Sequence, residues 1–214
     1  MINYIKIRKN RFDDMDEFDQ KWELFEKECR DCKDCELCAK RTNVVIYRGA
    51  RKAPLMIIGE APGESEDLEG KPFVGRSGKL LQNLIKAYGI KDSDYHICNI
   101  CKCRPPENRR PTPTEIHACK KHLAKQFRLV EPKIILLCGS TAYEGFFNEK
   151  PLMSSVRGNF TTRNGYEIMT TYHPAYALRN PKMKIPMMED FEKVYKRLVE
   201  LSLIEPSADI NPIN

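Results

Sequence analysis

The chain has 214 residues, of which 41% are hydrophobic, and a formal net charge of +6. That length and composition fit one globular domain with a single core and exclude a collagen-like or intrinsically disordered chain. The sequence has no run of apolar residues long enough to span a membrane and no signal peptide, so we expect a cytoplasmic protein without membrane association. The positive charge is compatible with a polyanionic partner but does not establish one.

An acidic, amphipathic segment precedes the first cysteines. Residues 13 to 28 carry Phe18, Trp22 and Phe25 at helical spacing. We therefore predict a helix over this segment that packs through its aromatic side chains.

Short apolar runs alternate with helical patterns along the rest of the chain. The predicted strands are residues 54 to 59, 95 to 100, 133 to 139 and 166 to 172. The predicted helices are residues 77 to 90, 113 to 132, 140 to 149 and 189 to 201. This alternation predicts an α/β fold: a single three-layer α/β/α domain with a central four-stranded parallel sheet.

Polar residues follow three of the four strands. Glu60, Glu64 and Glu66 follow the first strand, Asn99 ends the second, and His173 follows the fourth. Each has an ordinary interpretation, as a solvated loop residue, a strand cap or a turn residue. Because ligands of such folds bind beyond the carboxyl ends of the strands, we expect these residues to face one pocket.

The first strand leads into the loop GEAPG, which lacks the GK[ST] of a P-loop and does not match GxGxxG. A nucleoside triphosphatase is therefore not favoured. The loop's proline and glycines, Gly63 among them, would let the backbone approach a flat ligand and present an amide such as that of Ala61. Phe73, in the next Gly-rich loop, is either a core anchor or a ring that stacks on a base.

Basic residues concentrate in the loops expected at the same edge of the sheet. They are Arg76, Lys79, Lys102, Arg104, Arg109, Arg110, Arg179, Lys182 and Lys184. Such a face suits contacts with phosphates and indicates a nucleic acid.

Nine cysteines in a reducing compartment indicate metal ligands rather than disulfides. Cys29, Cys32, Cys35 and Cys38 follow one another at every third position. On a continuous helix this spacing would turn the first and last thiols to opposite sides, so the four cannot share one site as a helix. The run also departs from the C-x3-C-P ending of bacterial ferredoxins.

Other cysteines could complete a site. Cys98 and Cys138 lie inside predicted strands and belong to the core. Cys103 and Cys119 lie in polar surroundings. Two thiols from the amino-terminal run together with these two would make a four-thiolate site for zinc or a [4Fe-4S] cluster.

Five motifs resemble those of the family 4 uracil-DNA glycosylases, the iron-sulfur type, and occur in that family's order. They are GEAPGESED, GKPFVGRSGKLL, NICKCRPPENRRPTPTE, CGSTA and YHPAYALRNP, and the resemblance spans about residues 29 to 200. It implies a uracil-DNA glycosylase fold and a monofunctional enzyme of base excision repair. Such an enzyme flips uracil out of DNA, hydrolyses its N-glycosidic bond and leaves an abasic site.

The resemblance also implies a ligand set for a structural [4Fe-4S] cluster. It assigns a CxxC pair six residues before an Arg-Thr pair, the cysteine of KCRPP and one cysteine on the following helix. These are Cys32, Cys35, Cys103 and Cys119. Cys29 and Cys38 are departures from the family's minimal pattern.

Roles for the pocket follow from the same resemblance. Glu60 or Glu66 would position the water, and His173 would contact uracil O2. Ala61 and Gly63 would present backbone to the base, Phe73 would stack on it, and Asn99 would bond its edge. Arg76, Arg104 and Arg179 would contact the DNA.

We expect a monomer that acts on uracil-containing DNA, with a sliding clamp as a further candidate partner. The alternatives are a non-catalytic iron-sulfur or zinc DNA-binding module and an electron carrier. The expected organisation is an amino-terminal extension (1 to 28), a glycosylase domain (29 to 203) and a flexible tail (204 to 214).

Overall fold

A computed structural model describes residues 15–207 and residue 210 of the chain. Its strands are β1 (Arg48–Gly49), β2 (Leu55–Gly59), β3 (Tyr95–Asn99), β4 (Ile134–Cys138), β5 (Phe160–Arg163) and β6 (Tyr166–Thr171). Its α-helices are α1 (Glu17–Asp31), α2 (Glu64–Glu69), α3 (Arg76–Ala87), α4 (Pro113–Val130), α5 (Ser140–Phe147), α6 (Met153–Val156), α7 (Pro174–Arg179) and α8 (Lys184–Glu200). Short 3-10 turns lie at Glu36–Ala39, Pro106–Asn108 and Pro181–Met183.

The strands form one sheet in the order β1-β3-β2-β4-β6-β5. The four predicted strands are its parallel centre, β3-β2-β4-β6, whereas β1 and β5 pair antiparallel at the two edges. The sequence did not predict the edge strands because β1 has only two residues and three of the four residues of β5 are exposed. The parallel centre confirms the predicted fold class.

Helices cover both faces of this sheet, and every residue of β2, β3 and β4 is buried. On one face the core includes Leu81 and Ile85 of α3 and Phe191 of α8. On the other face it includes Trp22 of α1 and Leu123 of α4. Burial on both sides explains why the central strands are continuously apolar. In the described part of the chain, no helix is both long enough and apolar enough to cross a bilayer.

The first described helix runs further along the chain than the helix predicted over residues 13 to 28. Helix α1 begins after the cap Asp16, which accepts the Asp19 N–H at 2.7 Å, and it continues through Cys29 to Asp31. Near the other end, the Ser207 N–H donates to the Tyr195 hydroxyl at 2.8 Å. Predictions for residues 1–14, 208–209 and 211–214 lie outside the described residues, and the flexible tail stays a prediction.

Candidate active site and metal centre

A cleft of about 810 Å³ opens at the carboxyl ends of the parallel strands. Eight of the ten residues predicted for catalysis, substrate or DNA line it: Glu60, Ala61, Gly63, Glu66, Phe73, Asn99, His173 and Arg179. The other two, Arg76 and Arg104, lie outside its lining. The edge of the sheet that the sequence indicated is therefore the edge at which these side chains meet.

Two glutamates border the cleft, and they differ in whether their carboxylates are hydrogen-bonded. Glu66 is 8% exposed, and its carboxylate oxygens accept the N–H groups of Gly63 at 3.1 Å and Gly75 at 3.0 Å. It thereby joins the GEAPG loop to the loop that carries Phe73. The Glu60 carboxylate has no hydrogen-bond partner among the described residues, so it is free to bind a ligand or a water.

The floor of the cleft is built around Gly59, the last residue of β2. A Cβ atom here would lie 2.4 Å from Asn99 Oδ1 and 2.5 Å from Phe73 Cζ, so only glycine fits beneath both side chains. Asn99 is 2% exposed, yet its carboxamide bonds no other described residue and borders the cleft. A buried amide that no described residue bonds is suited to bind a polar ligand.

Phe73 anchors its loop in the hydrophobic core, one of the two interpretations of its sequence context, and its role in base stacking stays a prediction. Its ring is 5% exposed and belongs to the hydrophobic core, and it also lines the cleft. Its backbone has a φ of 55°, in the left-handed region that a bulky residue adopts rarely. A Cβ on Gly78 would lie 1.8 Å from the Phe73 carbonyl oxygen, so a glycine at 78 lets this strained turn close onto α3.

His173 caps helix α7 through its ring. Nδ1 accepts the Ala175 N–H at 3.2 Å, so the neutral ring carries its proton on Nε2. Burial, reinforced by the positive charge of Arg179, lowers the pKa of His173 to about 4. At neutral pH the imidazole is thus an uncharged hydrogen-bond donor within the cleft.

The predicted basic face is only partly available to phosphates. Three of its arginines form ion pairs with acids of the protein: Arg104 with Glu64, Arg109 with Glu115 and Arg110 with Glu144. Arg76 and Arg179 are exposed and have no carboxylate partner in the described part of the chain. The prediction that Lys102 belongs to this face is wrong. Its side chain is 1% exposed and bonds the Asn99 carbonyl and Gln126 in the interior.

Seven of the nine cysteines line one internal cavity, here called the thiol nest. They are Cys29, Cys32, Cys35, Cys38, Cys101, Cys103 and Cys119. The helical argument against a shared site does not apply, because α1 ends at Asp31 and Cys32 and Cys35 are extended. The nest therefore contains the four predicted ligands and three further thiols. Of these, Cys101 was not singled out from the sequence.

Positive groups and amides face these thiols. Arg41 donates to Cys103 Sγ at 3.2 Å, and the Lys102 backbone N–H donates to Cys119 Sγ at 3.3 Å. Hydrogen bonding from the Cys101 thiol, aided by the charge of Lys102, lowers the pKa of Cys119. At Cys119 these contacts favour the thiolate, the form of cysteine that binds metals, whereas burial raises the pKa of Cys32, Cys35 and Cys103.

His122 and Asp34 also border the nest. Cys32, Asp34 and His122 offer ligand atoms within 4.8 Å of one another, the one such group of three or more found among the described residues. His122 Nε2 is buried without a hydrogen-bond partner there, and Nδ1 lies 3.5 Å from Cys29 Sγ. The sequence signal for His122 was its position three residues after Cys119, on the same face of α4. The nest can thus hold a metal centre.

Comparisons with known proteins identify the family. The model of the uracil DNA glycosylase superfamily matches residues 46–199, a span that contains every predicted cleft residue. The chain belongs to this superfamily. Similar proteins named type-4 uracil-DNA glycosylase come from Thermotoga maritima and Saccharolobus solfataricus. The first is 43% identical over 72% of this chain and 82% of its own length. The second is 46% identical over 74% of this chain and 77% of its own length. A third relative of the same name, from Archaeoglobus fulgidus, is 37% identical over 75% of this chain and 83% of its own length.

In this member of the superfamily, sequence reasoning missed two buried acids near the cleft: Asp67 follows Glu66 in the chain, and Asp190 bonds the residue before Tyr172. Asp67, which is 2% exposed, accepts the N–H groups of Thr42 and Asn43 and so ties the segment after the cysteine run to α2. Asp190, which is fully buried, accepts the Thr171 hydroxyl at 2.7 Å and pairs with Arg157. Only their contacts in the fold distinguish them from solvated helix residues.

Proposed function

We propose that this protein is a monofunctional uracil-DNA glycosylase, which hydrolyses the N-glycosidic bond of uracil in DNA and leaves an abasic site. The observation that carries the proposal is the convergence in one cleft of a carboxylate (Glu60), a buried carboxamide (Asn99) and a neutral imidazole (His173). Neither the carboxylate nor the carboxamide has a hydrogen-bond partner among the described residues. The names and similarity of the type-4 relatives support the same activity.

Base recognition is assigned to Asn99 and Phe73. The Asn99 carboxamide can accept a hydrogen bond from uracil N3–H and donate one to O4, a pattern that cytosine does not match. The Phe73 ring offers an apolar surface on which a flat base stacks. The nucleotide must be flipped out of the duplex to reach these groups, because the cleft is recessed at the end of the sheet.

Cleavage of the N-glycosidic bond requires stabilisation of the charges that develop on the deoxyribose and on the uracil. As the bond lengthens, positive charge develops on the deoxyribose and negative charge on the uracil. Glu60 is assigned to the sugar and to the attacking water, since both oxygens of Glu66 already accept backbone N–H groups. His173 Nε2–H donates to uracil O2 and stabilises the departing base. Of the described residues that line the cleft, none is a lysine, which supports attack by water rather than by an amine.

The thiol nest is assigned a structural [4Fe-4S] cluster held by Cys32, Cys35, Cys103 and Cys119. Four thiolates around one zinc would lie about 4 Å apart, given zinc–sulfur distances of about 2.3 Å. Among the described residues, no three of these thiols lie within 4.8 Å of one another. Wider spacing suits a cluster in which each thiolate binds a different iron. When bound, the cluster would brace the amino-terminal segment against the KCRPP loop and α4.

DNA binding is assigned first to Arg76 and Arg179, the two arginines of the predicted basic face that have no carboxylate partner among the described residues. Arg104 would join them where a phosphate competes with Glu64, whose ion pair with it spans 3.5 Å. Localisation in the cytoplasm, a monomeric state and a sliding clamp as partner stay predictions.

Incubation with an oligonucleotide that carries one uracil tests the function. We expect free uracil, an intact strand, and scission at the uracil position after alkali. Binding of the DNA without release of uracil, over a wide range of pH and salt, would instead indicate a non-catalytic DNA-binding module. A matched oligonucleotide with thymine in place of uracil is the control.

A further inference from the structure

Lys102 is a fully buried lysine without an acidic partner in the described part of the chain. Its side chain is 1% exposed, and Nζ donates to the Asn99 backbone carbonyl at 2.8 Å and to Gln126 Oε1 at 2.5 Å. Removing an amino group from water in this way is costly unless its surroundings compensate. Specific hydrogen bonds therefore compensate for the burial of the Lys102 amino group.

A chain of hydrogen bonds fixes the partner of Lys102. Gln126 is fully buried, and its Nε2 donates to the Ile46 carbonyl at 3.0 Å and to His96 Nε2 at 2.9 Å. His96 in turn donates from Nδ1 to the Ala50 carbonyl at 2.7 Å. Because the Gln126 amide nitrogen is committed to these acceptors, its oxygen must point towards Lys102.

Lys102 lies between the two sites of the molecule. Its backbone N–H donates to Cys119 Sγ, and its neighbours in sequence, Cys101 and Cys103, both line the thiol nest. Its amino group reaches in the other direction, to the peptide of Asn99, whose carboxamide borders the cleft. One side chain thus links the wall of the nest to the residue assigned to read the base.

We propose that Lys102 is a positioning residue, an inference that rests on the proposed function: it fixes the Asn99 peptide, and with it the carboxamide at the base edge, to the wall of the thiol nest. Its positive charge also lies beside thiols that would be negatively charged when they bind a metal centre. Loss of the amino group would let Asn99 relax and would remove that charge.

The test compares the iron-loaded wild-type protein with Lys102→Met, which keeps an unbranched side chain. We expect iron content and absorbance near 400 nm to match the wild type. The single-turnover rate of uracil release should fall about tenfold, as when one group that stabilises the transition state is displaced, while the DNA concentration at half-saturation stays within about twofold. The reduction potential of the cluster should become more negative, because a nearby positive charge has been removed.

Lys121→Met is the matched control. Lys121 is an exposed lysine that pairs with Asp34 beside the nest, and among the described residues no hydrogen bond joins it to Asn99. Its rate of uracil release should equal that of the wild type. An unchanged rate in iron-loaded Lys102→Met overturns the proposal, as does an equal fall in both lysine variants. Failure of the wild type to release uracil would instead refute the proposed function, before any variant is measured.

Gln126→Met keeps the proposal testable if Lys102→Met does not fold. This variant removes the outer acceptor of Lys102 and leaves its bond to Asn99. The rate of uracil release should then fall about threefold at unchanged DNA affinity, in line with the loss of one hydrogen bond. A wild-type rate in folded, iron-loaded Gln126→Met overturns the proposal.

Discussion

The Phe73 ring stacks on the His173 imidazole, with the ring centroids 5.8 Å apart and the ring planes 28° from parallel. This contact joins the loop after β2 to the end of β6, two segments a hundred residues apart in the chain. The ring assigned to base stacking and the donor assigned to uracil O2 therefore form one surface. Each residue holds the other in place before any substrate arrives.

The free carboxylate of Glu60 leads to the first prediction. Glu60→Gln keeps the shape of the side chain but removes its charge, so the single-turnover rate of uracil release should fall by about 10²- to 10⁴-fold. DNA affinity should change little, because the carboxylate acts on the sugar and the water. Glu64→Gln, on α2 outside the cleft lining, is the control and should retain nearly full activity. A comparable loss in both variants would contradict the assignment.

We predict that Glu66 stabilises the fold and does not take part in the reaction. Glu66→Gln replaces one acceptor oxygen with an NH2 group that faces a backbone N–H, so it should lower the free energy of unfolding by about 1–3 kcal/mol. Thermal unfolding followed by circular dichroism measures the change. Glu69→Gln, an exposed position on the same helix, should melt with the wild type. A Glu66→Gln protein of unchanged stability that has lost its activity would assign Glu66 to the chemistry instead.

The third prediction concerns pH. Because the pKa of His173 is lowered to about 4, the ring stays neutral from pH 8 down to pH 5, and its donor at Nε2 remains available. The unfolded chain protonates this histidine near pH 6.5, so its contribution lowers the free energy of unfolding as the pH falls from 6.5 towards 4. NMR titration of the His173 ring should show no midpoint above pH 5. A midpoint near 6.5 would contradict the neutral-donor role.

Iron content tests the ligand set. Cys32→Ala and Cys35→Ala should each lose the cluster and its absorbance near 400 nm. Cys29→Ala and Cys38→Ala should keep both, although their thiols line the same nest. The basis of this expectation is the family's minimal ligand pattern, to which Cys29 and Cys38 are additions. Loss of iron in Cys29→Ala with retention in Cys32→Ala would reverse the assignment.

The sequence was sufficient for the parallel sheet and for most of the cleft. Periodicity predicted the strands, and the rule that ligands bind at the carboxyl ends of strands brought Glu60, Asn99 and His173 together. Family motifs added Phe73, whose role in stacking the sequence context had left open. The strands and the meeting of these residues in one cleft could be predicted because they depend on chain order and on the side-chain pattern of each strand, whereas the roles of the residues stay predictions.

Other features depend on contacts that local sequence does not encode. Lys102 was expected on the basic face because it stands among arginines, but Gln126 and the Asn99 carbonyl hold it inside. The convergence of the cysteine run depends on α1 ending at Asp31, which no proline or glycine marks in the sequence. In both cases tertiary partners, rather than composition, decide where a side chain lies.

Hydrolysis of uracil DNA in water enriched in oxygen-18 tests the central claim most directly. Mass spectrometry should find one free uracil per uracil site, an intact strand, and no heavy oxygen on the uracil, as expected for attack at C1′ rather than on the base. Glu60→Gln should give the same products much more slowly. Bound DNA with no free uracil, or a strand cut at the site without alkali, would contradict the account.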